Sequence, residues 1–544
     1  MSGAAGHDPS LIRLADAILV PPFPGTAVPG WLLAALERGL AGVTLFGLNV
    51  SDPEQLSQLT AQLNGATDYP VIAIDEEGGD VTRIAHRTGS PYPGNAALGA
   101  VDDTRLTTDI YHALGADLAA VGVNVNLAPS VDVNSASDNP VIGTRSFGAD
   151  TALVARHAAA AVTGLQSAGI AACAKHFPGH GSTRQDSHHE IALVDGDLDT
   201  LRRRDLPPFA AAIAAGVRAV MPGHLRVRGL TGDLPATWSA AATGLLRGEL
   251  GFTGVIISDG LEMQAVSQPH GLPEAAVRTV AAGGDLLCLG RDQDEESYLA
   301  VRDAIAAAVA EGRFPGERLE EAAARVAELR AWLAASAGTA QEAAAGRTVS
   351  RSHRVLDGGA ANGVVNGGTG FGGGTDGSSD GGTDGSADGS ADGVHAGLSA
   401  ARRAVRVSGL EHPLTDPVVV ELKPLQNIAV GTVPWGLGPW LGEQSVRRID
   451  TGLPEAERAR AVQDVLTAAA GRPLVVVVRD AHRHPAARSV ADALLAARPD
   501  AVLVEMGLPI WRPQAGAYVA TYGAARTNGQ AAAEALGLTA VGTS

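Results

Sequence analysis

The densest run of reactive side chains is KHFPGHGSTRQDSHHE, residues 175–190. Lys175 and His176 close an apolar run, which fixes them on a rigid element. Asp186, Ser187 and His188 follow on a Gly-rich loop. An Asp two residues from a His can accept its ring N–H, set its tautomer and raise its basicity, as general acid/base work requires. A Gly-flanked loop can also carry such a pair into and out of a site. An isolated Asp-x-His is more often a capped turn beside a solvated imidazole; its place next to Lys175 and His176 favours the functional reading.

A second segment, GVIISDGLEM (254–263), is an apolar run ending in Ser258-Asp259-Gly260. A carboxylate at a strand end with small neighbours can attack an anomeric carbon. The plainer reading is a cap for the next helix. In a third, AIDEEGGDVTR, Asp75 ends a run and Gly78-Gly79 turns the chain before Arg83. Carboxylates and Arg bind vicinal hydroxyls with directional bonds. Glu76, Glu77 and Asp80 read as solvated loop charge. A fourth, DNPVIGTRSFG, puts Arg145 on a turn-rich loop.

The elements that must position these groups form a repeating series. Eight short apolar runs fall at 17–23, 42–48, 70–79, 123–133, 169–177, 216–225, 254–263 and 283–290, with helical spacing between them. Near-continuous apolar strands alternating with helices imply a parallel sheet covered on both faces. Eight units match the repeat of a (β/α)8 TIM barrel better than an open doubly wound sheet. Asp75, Asp132, Lys175, His176, His224 and Asp259 all fall at or just past strand C-terminal ends, where barrel enzymes keep their chemistry. All the reactive groups precede residue 260, so the barrel alone is expected to hold the site.

The barrel is expected over 1–345. From 346 to 397 the composition becomes Gly, Asp, Ser and Ala, with DGSADGSADG as a short repeat. Such a tract cannot offset its ordering entropy and reads as a flexible linker. Residues 398–544 read as a smaller α/β domain with a mainly parallel, sandwich-like arrangement. Its strands are expected at VVVEL, NIAVGTV, PLVVVVRD, AVLVEMG and AYVATYG. No G-x-G-x-x-G or P-loop pattern occurs, so no cofactor is expected.

The formal net charge is -18, and acidic chains repel nucleic acid and anionic lipid, so neither is an expected partner. No secretory leader or membrane-spanning run is read, and the expected place is the cytoplasm. Cys173 and Cys288 each lie in an apolar run and read as buried free thiols. The abundant Ala and Gly read as compositional bias.

The four motifs taken in order resemble the bacterial β-N-acetylglucosaminidases of glycoside hydrolase family 3. KHFPGHG followed by DSH is highly specific to that branch, NPVIGTRSFG supports it, and the likeness covers about residues 10–335. The resemblance implies retaining exo-hydrolysis of terminal β-linked N-acetylglucosamine through a covalent glycosyl-enzyme, without a metal. It implies Asp259 as nucleophile and His188, paired with Asp186, as acid/base. It sets Asp75, Arg83, Arg145, Lys175 and His176 around the terminal sugar. A small carbohydrate is the expected partner and a monomer the expected state. It points to peptidoglycan recycling. The chain departs from the pattern at Asp80, where an Arg is common, at Gly260, where another Asp is frequent, and in its long linker.

Three alternatives stay open. A metal-dependent hydrolase could use His176, His180, His188, His189 and Asp186, although Lys175 would repel a cation. A sugar-binding protein without catalysis would lack one of the two main groups, and both are present. Phosphorolysis on the same fold is chemically open, because a histidine acid/base does not repel phosphate as a glutamate would; β-glucosidase activity is the other alternative on this fold, against which the DSH loop argues, since that branch uses a Glu as acid/base.

Overall fold

The computed structural model describes residues 8–186, 190–268, 270–356, 391–423, 430–442 and 445–538. The barrel strands of the first unit are β1 (Leu19–Val20), β2 (Gly42–Leu45), β3 (Val71–Ile74), β4 (Val125–Asn126), β5 (Ala171–Phe177), β6 (Ala219–Pro222), β7 (Val255–Ile256) and β8 (Leu287–Cys288). All are buried along their length, as parallel strands covered by helices must be. β2 to β7 form a curled six-stranded sheet in chain order, and β8 pairs with β1 in parallel. The ring closes at both seams. Ser258 N donates to Leu286 O at 2.9 Å beside the Ile257–Leu286 bridge, and Thr44 N donates to Pro21 O at 3.3 Å. This is the TIM-barrel arrangement expected from the eight runs.

Helices start where the sequence supplies an acceptor. Asp52, Asp150 and Asp294 cap their helices by accepting from Gln55 N at 2.8 Å, Leu153 N at 2.7 Å and Ser297 N at 3.0 Å. Each such cap contributes about 1 kcal/mol. The glycines are not all compositional bias. In the pair Thr104–Ala120 and Thr151–Ser167, a Cβ on Gly164 would lie 2.4 Å from Thr108 O, so the helices could not pack as they do. The helix that follows the barrel runs from Gly316 to Leu356, past the expected end at 345, and the next one spans Ala391–Ala404. Most of the expected linker, 357–390, lies outside the described residues.

The second unit contains β9 (Arg406–Ser408), β10 (Val418–Lys423), β11 (Val446–Asp450), β12 (Leu474–Val478), β13 (Val502–Glu505) and β14 (Ala517–Ala520). Their order is β9-β14-β13-β12-β10-β11, with β9 antiparallel and every other neighbour parallel. One expectation fails here. NIAVGTV is not a strand over its described part, Val430–Val433; the second strand is VRRID, 446–450. That edge strand exposes Arg447, Arg448 and Asp450, so its apolar signal is interrupted. The apolar Val430–Val433 is instead a loop that leans over the barrel.

The two units meet closely. Asp80 is buried between them, accepting from Ala524 N at 2.8 Å and Thr144 Oγ1 at 2.6 Å and pairing with Arg479 at 3.0 Å. Arg403 pairs with Asp103 at 2.9 Å, and His482 Nε2 lies 2.8 Å from Ser137 O. Asp80 is therefore a domain fastener, not solvated loop charge. Among the described residues no helix is long and apolar enough to cross a membrane.

Candidate active site

A cavity of about 440 Å3 opens at the C-terminal mouth of the barrel, lined by Asp75, Glu77, Arg83, Arg145, Lys175, His176, Asp259 and Glu262. Each carries its own positioning. Lys175 and His176 end β5, where the pairing register with β6 shifts. The Arg145 loop is ordered by Asn139, whose Oδ1 accepts from Val141 N at 2.9 Å and Ile142 N at 2.8 Å. Arg83 is set by Glu76, which accepts from Arg83 N at 2.8 Å and Ile84 N at 3.0 Å. Asn126 of β4 holds Glu76 in turn, donating to its carbonyl at 2.7 Å. Gly79 needs its glycine, with φ +61° and a would-be Cβ 2.4 Å from Gly94 Cα.

One wall of the cavity is a continuous network of paired charges. Lys175 Nζ lies 2.6 Å from Asp75 and 2.8 Å from Glu77. Glu77 takes a two-pronged contact from Arg145, at 2.9 and 2.7 Å. Arg145 reaches His176 Nε2 at 3.3 Å, and His176 Nδ1 lies 2.8 Å from Asp132. Asp132 also accepts from His180 N at 2.6 Å. Burial would raise the Glu77 pKa, but Arg145 and Lys175 outweigh it and hold the carboxyl far below the usual range. Burial would likewise lower Lys175, and Asp75 with Glu77 keeps it raised. His180 is pushed down to about 4 by burial and by His176. The reading of Glu76 and Glu77 as solvated charge is thus wrong: they are 5% and 4% exposed. A Glu beside a turn gives little sign of burial in sequence; the partner cations lie far along the chain.

The opposite wall is built by β7 and β8 and is rich in carboxylate. Asp259 is half-buried on the cavity, its Oδ1 accepting from Gly260 N at 2.8 Å. His224 is fully buried and holds Gly260 O at 3.0 Å through Nε2, so it acts on the backbone beside Asp259. Glu262, which the sequence reading passed over, accepts from Arg291 N at 2.8 Å. Its pKa is pushed up to about 7 by burial, with Asp259 adding to the rise. Gly260 gains a reason here: a Cβ there would lie 2.5 Å from Glu262 Oε2. A side chain at 260 and this glutamate cannot both fit as placed.

Asp186 is half-buried on the loop after β5, and its carbonyl accepts from Glu190 N at 3.1 Å. His188 lies outside the described residues. Both cysteines are buried and unpaired with each other, and burial raises their thiol pKa values, so neither is a poised nucleophile. Among the described residues no three His, Cys, Asp or Glu side chains are grouped to hold a metal ion. A third boundary of the cavity is the Val430–Val433 loop of the second unit, so the barrel does not enclose the site alone.

Residues 34–329 match the family model described as the glycosyl hydrolase family 3 N terminal domain. The chain belongs to glycosyl hydrolase family 3. A solved β-N-acetylglucosaminidase of this family from Paenibacillus sp. str. FPU-7 is 31% identical, with a TM-score of 0.79 over 98% of this chain and 97% of that one. Beta-hexosaminidase A of Pseudoalteromonas piscicida is 34% identical over 360 residues, 61% of this chain and 60% of that protein's length. Beta-hexosaminidase LpqI of Mycobacterium tuberculosis is 36% identical over 265 residues, 48% of this chain and 67% of the relative. The likeness to the Paenibacillus structure, covering 98% of this chain, extends through the second unit.

Proposed function

We propose that this family 3 member is a retaining exo-glycosidase that removes terminal non-reducing β-linked N-acetylglucosamine. The observation that carries the reading is the two-walled cavity: a paired network on one side and Asp259 on the other. The network supplies fixed donors and acceptors for sugar hydroxyls from Asp75, Arg145, Lys175 and His176, with Arg83 beside them. Asp259 attacks the anomeric carbon, giving a covalent glycosyl-enzyme. A carboxylate-rich wall suits the positive charge that develops on the ring in the transition state.

His188, oriented by Asp186, protonates the leaving oxygen and then deprotonates water. The similar proteins named as hexosaminidases and as a β-N-acetylglucosaminidase favour N-acetylglucosamine as the sugar. Peptidoglycan fragments are the proposed source, a point that rests on the family resemblance. A cytoplasmic monomer is proposed with it, consistent with two reduced, buried cysteines.

The test is turnover of aryl N-acetylglucosaminide against aryl glucoside, with and without phosphate. Hydrolysis of the first, with β product before mutarotation, is expected. Preference for the glucoside, an α product, or glycosyl phosphate as the main product would overturn the reading.

A further inference from the structure

The loop that carries Asp259 is tied to its surroundings at three points. Leu261 N donates to Cys288 O at 3.1 Å, His224 Nε2 lies 3.0 Å from Gly260 O, and Glu262 Oε1 accepts from Arg291 N at 2.8 Å. The third tie runs from a side chain of the loop itself to the loop after β8. Its carboxyl has a narrow seat. A Cβ on Gly260 would lie 2.5 Å from Glu262 Oε2 and one on Gly290 1.3 Å, so that oxygen fills a niche left open by two glycines. Oε2 is buried there and has no hydrogen-bond partner among the described residues. Gly260, Glu262, Gly290 and Arg291 all border the cavity at the barrel mouth, so a carboxyl leaving the niche enters that cavity beside Asp259.

The groups around Glu262 disfavour a charge in that niche. Its own loop contributes the Asp259 carboxyl, and β8 contributes the Cys288 thiol, which burial and Glu262 keep protonated. The loop after β8 contributes Arg291, whose exposed guanidinium lies 3.4 Å from Asp292. His224 approaches from the β6 side, but Nε2 is taken by Gly260 O and Nδ1 lies 2.8 Å from Thr237 Oγ1. Burial, with Asp259 adding to it, pushes the Glu262 pKa up to about 7. A neutral carboxyl tolerates one unpartnered oxygen at modest cost, whereas an anion with a bare buried oxygen does not.

We infer that Glu262 is a positioning residue that works as a neutral acid: protonated, it seats the Asp259 loop against the loop after β8, and on losing its proton it leaves the niche and switches hydrolysis off. The inference rests on the proposed glycosidase reading and adds its regulation by pH. The direction follows from the geometry. The anion cannot stay between two glycine backbones without a donor, and its way out leads into the cavity. There it frees Arg291 N, repels Asp259 and takes room from the sugar. Activity is therefore present while Glu262 holds its proton and is lost as pH rises. No bond to the sugar forms or breaks at Glu262, and its proton passes to water.

The test uses the full chain and separates Glu262 from His188. With a dinitrophenyl N-acetylglucosaminide the leaving oxygen needs no proton, so kcat/KM, which reports the steps up to bond cleavage, makes no demand on His188. Wild type should lose about a hundredfold in kcat/KM between pH 6 and pH 9, one decade per unit above the Glu262 pKa. Glu262→Gln keeps the shape and never ionises, and its kcat/KM should stay within about threefold over that range. Gly260→Ala drives a Cβ into Oε2 and should be slow already at pH 6. A flat wild-type profile would overturn the inference. So would a Glu262→Gln variant that keeps the wild-type fall, or one that is folded yet inactive at pH 6, since a neutral side chain of that shape should seat the loop. Gly260→Ala with the rate and profile of wild type would do the same. If wild type leaves the substrate untouched at every pH, the glycosidase reading itself fails, whereas turnover with the same profile in wild type and Glu262→Gln condemns the role of Glu262 alone.

Discussion

The two walls of the barrel mouth carry the same kinds of carboxylate and treat them in opposite ways. On the β3–β5 side, Glu77 sits between Arg145 and Lys175 and is held ionised. On the β7–β8 side, Glu262 is buried beside Asp259 and its pKa rises to about 7. The difference teaches how one cavity can both hold and activate a sugar. Paired groups are held rigid, which suits binding hydroxyls without reorganisation. A carboxylate at the anomeric centre favours a transition state that becomes positive at the ring.

The largest expected effect lies on the reactive wall. Asp259→Ala should lower kcat by about 10⁴-fold or more for every substrate, roughly 5.5 kcal/mol of barrier at 1.36 kcal/mol per decade. Loss confined to one substrate class would show that another group is the nucleophile. His188→Ala should slow the first step by about 10²–10⁴ for a disaccharide and little for an aryl leaving group of low pKa. Equal slowing of both, measured by pre-steady-state release, would remove His188 from that role.

The binding wall should fail differently. Glu77→Gln leaves Arg145 and Lys175 short of a buried partner and should cost about 3–5 kcal/mol of stability. Denaturant unfolding with an unchanged midpoint would show that the network is dispensable. Its sign with pH is also set: a carboxyl with a depressed folded pKa adds stability above its unfolded value of 4.5, and that stability is lost as pH falls below it.

Glu262 should show the opposite slope. Its folded pKa is raised, so its contribution is full below 4.5 and is lost as pH rises through about 7. Glu262→Gln should therefore gain Tm relative to wild type at pH 8 and not at pH 4. A smaller effect is expected at the domain fastener. Asp80→Asn can keep an acceptor for Ala524 N, but its amide nitrogen then replaces the oxygen that accepts from Thr144 and pairs with Arg479, and it should cost about 1–3 kcal/mol.

Much of this was legible in sequence because the barrel repeats one unit eight times and ends its strands in polar residues. Asp75, Arg83, Arg145, Lys175, His176 and Asp259, drawn from separate motifs, all line one cavity. What escaped depends on three-dimensional neighbours. Glu77 reads as loop charge until Arg145, 68 residues on, and Lys175 close over it. Glu262 carries no signal in sequence, and only the fold shows Gly260 and Gly290 making its niche. Val430–Val433 has a strand's composition but serves as a boundary of the cavity, and β11 hides its pattern behind exposed arginines. No local rule marks a loop that packs on another domain.

The central claim is that Asp259 forms the covalent bond to the sugar at this two-walled cavity. The direct measurement is trapping with a fluorinated N-acetylglucosaminide that forms the intermediate faster than it is hydrolysed, followed by peptide mapping by mass spectrometry. The account predicts one added sugar, on the peptide spanning 254–263 and at Asp259, with activity recovering as the label is released. A label on Glu262 or any other residue, or turnover with inversion and no label at all, would contradict it.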